Sequence, residues 1–174
     1  MLKVEYSLDS AAGPWSSLTG TNLWLKSDMD SSALPEGAAT IWVKSTDNAG
    51  NESVVASKTF IVDHGNPDLT VDAAYDGIVY RNAQFTISGS VADGNLGASP
   101  ITVTAKKDGL AYALTGAFTY AAGNWSQVVN VSGSGVYLIT ITAKDSLNRT
   151  SAATRSVTVD TTAPSVAVTS VSPL

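Results

Sequence analysis

Thr40-Ile41-Trp42-Val43-Lys44-Ser45-Thr46-Asp47 returns 98 positions later as Leu138-Ile139-Thr140-Ile141-Thr142-Ala143-Lys144-Asp145. Each copy passes through a short polar turn into a second β-rich stretch and closes on Val-Asp, three residues and Pro. The first closure is Val62-Asp63 to Pro67, the second Val159-Asp160 to Pro164. A period near one hundred residues is too long for a solenoid unit and suits a complete sandwich domain. The 174-residue chain is therefore read as successive copies of one module rather than as a single larger fold.

The module is all-β. Alternation of period two runs through Leu2-Lys3-Val4-Glu5-Tyr6, Ile101-Thr102-Val103-Thr104-Ala105 and Ser156-Val157-Thr158-Val159, while sustained helical spacing is missing. Gly, Asn, Asp and Pro punctuate the chain at short intervals, as at Asp76-Gly77, Asp108-Gly109 and Asn48-Ala49-Gly50-Asn51. The pattern predicts tandem immunoglobulin-like β-sandwiches, the first truncated at its N-terminus. Residues 1–63 are the C-terminal part of one sandwich, 64–163 a complete second, and 164–174 the opening strand of a third. In the second copy, strands are predicted over 68–73, 77–81, 84–92, 100–107, 110–115, 117–121, 124–132, 136–145 and 152–160. Matching Leu2–Asp9 to Ile101–Asp108 starts the chain at the third or fourth strand of the first copy. A sandwich short of two strands offers an apolar face and an open edge, so the first copy is expected either to be frayed or to be completed by another segment, such as residues 165–171 of a neighbouring molecule.

Composition narrows the function. Charged residues make up only 14% against about 25% in an average globular protein, so Ser, Thr, Asn and Gly must cover the surface. A net charge of −5 without clustered Lys or Arg argues against nucleic acid. The absence of Cys removes disulfides, thiolate metal sites and a Cys nucleophile. No apolar run approaches the roughly 18 residues of a membrane-spanning helix. Residues 1–6 lack the basic start and apolar stretch of a signal peptide; if the protein is exported, its targeting signal is expected upstream of them. His64 is the sole histidine and falls in the linker; acids are scattered over turns, and no phosphate loop or His-Glu-x-x-His occurs. The chain is read as non-catalytic, with no cofactor beyond Ca2+.

Oxygen donors gather near the joints. Asp63 and Asp68 flank the first linker, Asp47 and Asn48 occupy a hairpin tip, and Asp93 with Asn95 forms another polar turn. Asp47, Asn48, Asp63 and Asp68 are the candidate Ca2+ ligands. Strand parity puts Ile41, Val43 and Ser45 inward, matching Ile139, Ile141 and Ala143. Trp42 and Ile61 then face outward as a candidate binding patch. Tyr137, following Gly135, fits a tyrosine corner, a place held by Ala39 in the first copy. Trp24 and Trp125 align as a shared core position.

The run Lys3-Val4-Glu5-Tyr6-Ser7-Leu8-Asp9, Gly13-Pro14-Trp15, Leu34-Pro35-Glu36-Gly37, Val43-Lys44-Ser45-Thr46-Asp47-Asn48-Ala49-Gly50-Asn51-Glu52-Ser53 and Val62-Asp63 resembles the bacterial Ig-like repeats of large surface and secreted proteins. Asp145-Ser146-Leu147-Asn148-Arg149-Thr150-Ser151 departs from that pattern by lacking the Ala-Gly-Asn turn. The resemblance implies an extracellular, cell-surface location and a spacer or adhesive stalk role. Its partners would be neighbouring repeats and a host or glycan ligand. The competing implication is a carbohydrate- or protein-binding accessory module of a secreted carbohydrate-active enzyme.

Overall fold

The structure, a computed structural model, describes residues 3–18, 29–80 and 83–170. It is all-β apart from one 3-10 turn at Ala73–Tyr75, and it divides into two compact units, Met1–His64 and Gly65–Leu174.

The second unit contains two sheets. One has the order β10-β11-β7-β5, with β5 Asp68–Val71, β7 Gln84–Ala92, β10 Phe118–Ala121 and β11 Asn124–Asn130. The other has the order β6-β13-β12-β8-β9, with β6 Val79–Tyr80, β8 Leu96–Lys107, β9 Leu110–Tyr112, β12 Gly135–Asp145 and β13 Thr150–Val159. Pairing is antiparallel except for β6, which runs parallel to the end of β13. Alternate residues of each strand point into the space between the sheets. Phe85, Ile87 and Val91 of β7 and Trp125 and Val129 of β11 meet Ile101, Ala105, Tyr137, Ile139, Ile141, Ala143, Val157 and Val159 from the facing sheet. Each of these is less than a tenth exposed, so the unit carries its own core.

Two local features fix this arrangement. Gly89 lies where β5 and Trp125 crowd β7: a Cβ there would stand 2.1 Å from the Thr70 carbonyl oxygen and 2.9 Å from the Trp125 ring. Tyr137 is fully buried. Its hydroxyl donates to the Gly133 carbonyl at 2.9 Å and accepts from the Ser132 amide at 3.1 Å, tying the β11–β12 crossover to the core. This is the expected tyrosine corner. Tyr112 and Phe85 pack edge-on against the same ring, with centroids 5.2 and 6.5 Å away.

The described residues of the first unit form one sheet of order β2-β1-β3-β4, with β1 Lys3–Ser7, β2 Ser16–Ser17, β3 Gly37–Thr46 and β4 Ala56–Val62. The order matches β9-β8-β12-β13 strand for strand. The register corrects the sequence alignment by two residues: Val4 faces Ser45 as Ile101 faces Ala143, so Val4, not Leu2, occupies the place of Ile101. A slip of two leaves every side chain on the same face, so the error does not change which residues share a face. Val4, Ile41, Val43, Val54 and Ala56 line an apolar cleft of about 350 Å3 in this unit.

Residues 161–170 form no strand, and Val166 and Val168 are 96% and 81% exposed. The expected opening strand of a third copy is thus not formed over its described part. A lone segment has no partner to satisfy its backbone, so sequence propensity alone does not make it a strand. Residues 171–174, and Trp24 with its expected core role, lie outside the described residues.

Candidate functional site

The β3–β4 and β12–β13 hairpins are built on the same device. In the first unit, Asp47 closes β3 and its Oδ1 accepts from the amides of Ala49 and Asn51 at 2.9 and 2.8 Å. Its second oxygen accepts from the Asn51 side-chain amide at 2.9 Å. These bonds favour the ionised carboxylate; the Asn51 side chain contributes most, then the Asn51 backbone, and together they lower the Asp47 pKa. Gly50 supplies the left-handed residue, with φ 89°.

In the second unit, Asp145 ends β12 and its Oδ1 accepts from the amides of Leu147 and Arg149, both at 2.8 Å. Asn148 adopts the left-handed conformation in place of Gly50, with φ 71°. The hairpin is therefore retained although its Ala-Gly-Asn sequence is gone. What changes is the carboxylate's second oxygen. Arg149 stands where Asn51 stood, and Oδ2 of Asp145, a residue only 4% exposed, is buried without a hydrogen-bond partner.

The fold brings a second acid to the Asp145 carboxylate. A register shift between Ala143 and Asp145 lets Asp145 pair with Leu96, so the β7–β8 connection folds over the end of β12. The Ser146 amide donates to the Asn95 carbonyl at 2.9 Å, and Asp93 Oδ1 accepts from the Asn95 amide at 2.6 Å. Carboxylate oxygens of Asp93 and Asp145 consequently lie within 4.8 Å of each other.

Of the four acids and amides expected as calcium ligands, Asp47 and Asn48 lie at the opposite end of β4 from Asp63. Seven strand residues, about 23 Å, separate them. These three cannot share one ion, and the Asp47 carboxylate is already engaged by its own turn. Asp68 pairs with Ala92 and so begins β5 beside Asp93. Asp145 was not singled out from sequence; its alignment with Asp47 was the available signal, masked by the altered turn.

Trp42 and Ile61 do share a face, since Ile61 pairs with Ala38, four residues before Trp42 on β3. Four positions amount to about 13 Å, and the Thr40–Thr59 hydroxyl pair at 3.1 Å lies between them. They do not form one compact patch. Trp42 is half-buried and Ile61 is 47% exposed. The nearer aromatic feature is Trp15, with the Lys44 ammonium 4.9 Å from its ring centroid and held at 2.6 Å by Glu52. His64 is bound locally, its amide donating to Glu36 at 2.7 Å and its ring Nε2 lying 3.2 Å from the Leu34 carbonyl.

No protein-family model matches this sequence, and no curated protein matches it. Among solved structures, the chain is similar to the fibronectin(III)-like modules of Clostridium thermocellum CbhA, at 18% identity and a TM-score of 0.38, over 91% of this chain and 76% of that one. It is also similar to a Ca2+-stabilised adhesin with which an Antarctic bacterium reaches out and binds ice, at 21% identity and a TM-score of 0.37. There the match covers 91% of this chain and 40% of the adhesin chain. No helix among the described residues is long and apolar enough to cross a membrane.

Proposed function

We propose that this chain is a non-catalytic spacer or stalk segment of a large extracellular bacterial surface protein, in which successive Ig-like repeats set reach. The observations that support this reading are the 98-residue repeat in the sequence and the division into two compact units, one of them with its own core. The second unit is also built to bear tension. β6 runs parallel to β13, so force applied at residues 65 and 160 pulls these two strands in opposite directions along their length. The bonds from Gly77 to Ser156 at 2.8 Å, from Thr158 to Ile78 at 3.1 Å, and from Ser156 to the Asp76 carboxylate at 3.1 Å are then loaded together rather than one by one.

Single-molecule stretching of the whole chain tests the reading. One discrete unfolding step is expected for β5–β13, with a length gain of about 300 Å, from roughly ninety residues at about 3.3–3.6 Å each. Extension without a discrete step would refute a load-bearing role. The competing reading, a glycan-binding accessory module, predicts a saturable tryptophan fluorescence change on glycan titration that is lost in Trp42→Ala. The separation of Trp42 from Ile61 counts against it.

A further inference from the structure

We infer that the second unit holds a hard divalent cation between Asp93 and Asp145, with Ca2+ the best-fitting ion. The argument begins with the difference between the two hairpins. Asp47 has both oxygens satisfied, the second by the Asn51 amide. Asp145 keeps the same bonds on Oδ1 but leaves Oδ2 buried and unpartnered. A buried carboxylate oxygen with nothing to accept from is costly, because it has given up water and gained no donor. A second carboxylate, from Asp93, has an oxygen within 4.8 Å of an oxygen of the Asp145 carboxylate, which adds like-charge repulsion. A cation placed between the two acids removes both penalties at once.

The donors select the kind of ion. Carboxylates are hard oxygen ligands, and neither His nor Cys contributes. They sit on turns of irregular geometry, which suits the six to eight oxygens and flexible shell of Ca2+ better than the strict octahedron of Mg2+. Two carboxylates, with water completing the shell, place the affinity near that of extracellular modules, about 10⁻⁴–10⁻³ M. The Asp47 hairpin, its carboxylate already spent on Asn51, takes no ion. One repeat is thus closed by a side-chain amide and the other is left open for a metal. The inference stands without the stalk reading, since it concerns only the second unit's own residues.

Isothermal titration of the full chain with CaCl2 after chelator treatment provides the test, paired with thermal unfolding in 10 mM Ca2+ and in 10 mM Mg2+. One site is expected, together with a rise in the second unit's melting temperature of about 5 °C or more. Mg2+ should give a smaller rise. Asp93→Asn retains the Asn95 bond and should weaken Ca2+ binding at least tenfold. Asp145→Asn retains an acceptor for Leu147 and Arg149 and should do the same. Asp47→Asn should leave binding unchanged. Absence of binding heat together with an unmoved melting temperature in the unmutated chain would overturn the inference, as would binding that survives both Asp93→Asn and Asp145→Asn. Neither result would bear on the stretching experiment.

Discussion

Replacing Tyr137 with Phe removes one oxygen atom from a fully buried ring and nothing else. The Phe ring keeps its edge-on contacts with Tyr112 and Phe85. Two hydrogen bonds go: the one donated to the Gly133 carbonyl and the one accepted from the Ser132 amide. Each is worth about 1 kcal/mol net, and more where the abandoned backbone group cannot reach water. The crossover at 131–135 is only partly covered, so some of that loss is recovered by hydration. The expected cost is about 1.5–3 kcal/mol, which for a domain of this size lowers the melting temperature by about 10 °C. The loss should be confined to the second unit, since Ala39 occupies the corresponding place in the first. Hydrogen exchange read by mass spectrometry in increasing urea resolves the two units separately. Peptides from β11, β12 and β13 should open at lower urea in Tyr137→Phe, while those from β3 and β4 stay unchanged. A loss below about 0.5 kcal/mol, or an equal shift in both units, would refute the assignment of this hydroxyl as the anchor of the crossover.

Gly89→Ala should destabilise the second unit by about 2–3 kcal/mol in thermal unfolding, because the added Cβ meets the Thr70 carbonyl at 2.1 Å and must push β5 or Trp125 aside. Arg155 donates to the carbonyls of Val71 and Asp72; Arg155→Ala should cost about 1–3 kcal/mol and free β5 amides to exchange before the rest of the sheet. The Asp47 pKa lies below 3.8 in the folded chain. Its hairpin bonds are therefore intact above the unfolded-state value and are lost as pH falls through the lower folded value. In an NMR titration Asp47 should show a midpoint below 3.8, and Asn51→Ala should move that midpoint upward.

The strands of the second unit were legible because their signals are local and redundant. In 84–92, 124–132, 136–145 and 152–160, alternation, β-branched residues and flanking turns all agree, and the structure departs from these spans by at most two residues. β8 begins at Leu96 rather than residue 100, because Gly97 and Pro100 read as a turn. In three dimensions they fall in the register shift opposite Lys144, where a missing amide costs no ladder bond. Over its described residues 77–80, the strand predicted at 77–81 narrows to Val79–Tyr80, the two residues that pair with β13. Site geometry was harder to read. Parity puts Trp42 and Ile61 on one face, yet parity carries no information about distance along a strand. Grouping Asp47 with Asp63 failed for a related reason: nearness to a repeat boundary in sequence does not say which end of a hairpin a residue occupies. The Asp93–Asp145 approach depends on a bulge, and a bulge leaves little trace in a single sequence.

Residues 65–174 prepared alone, and compared with the whole chain by amide NMR spectra, test most directly whether these repeats are self-contained modules. Cross-peaks for β5 through β13 should superimpose on those of the full chain, with an unchanged melting temperature, because among the described residues the core from Phe85 to Val159 draws on none before Gly65. Collapse of the spectrum to unfolded dispersion would contradict the account.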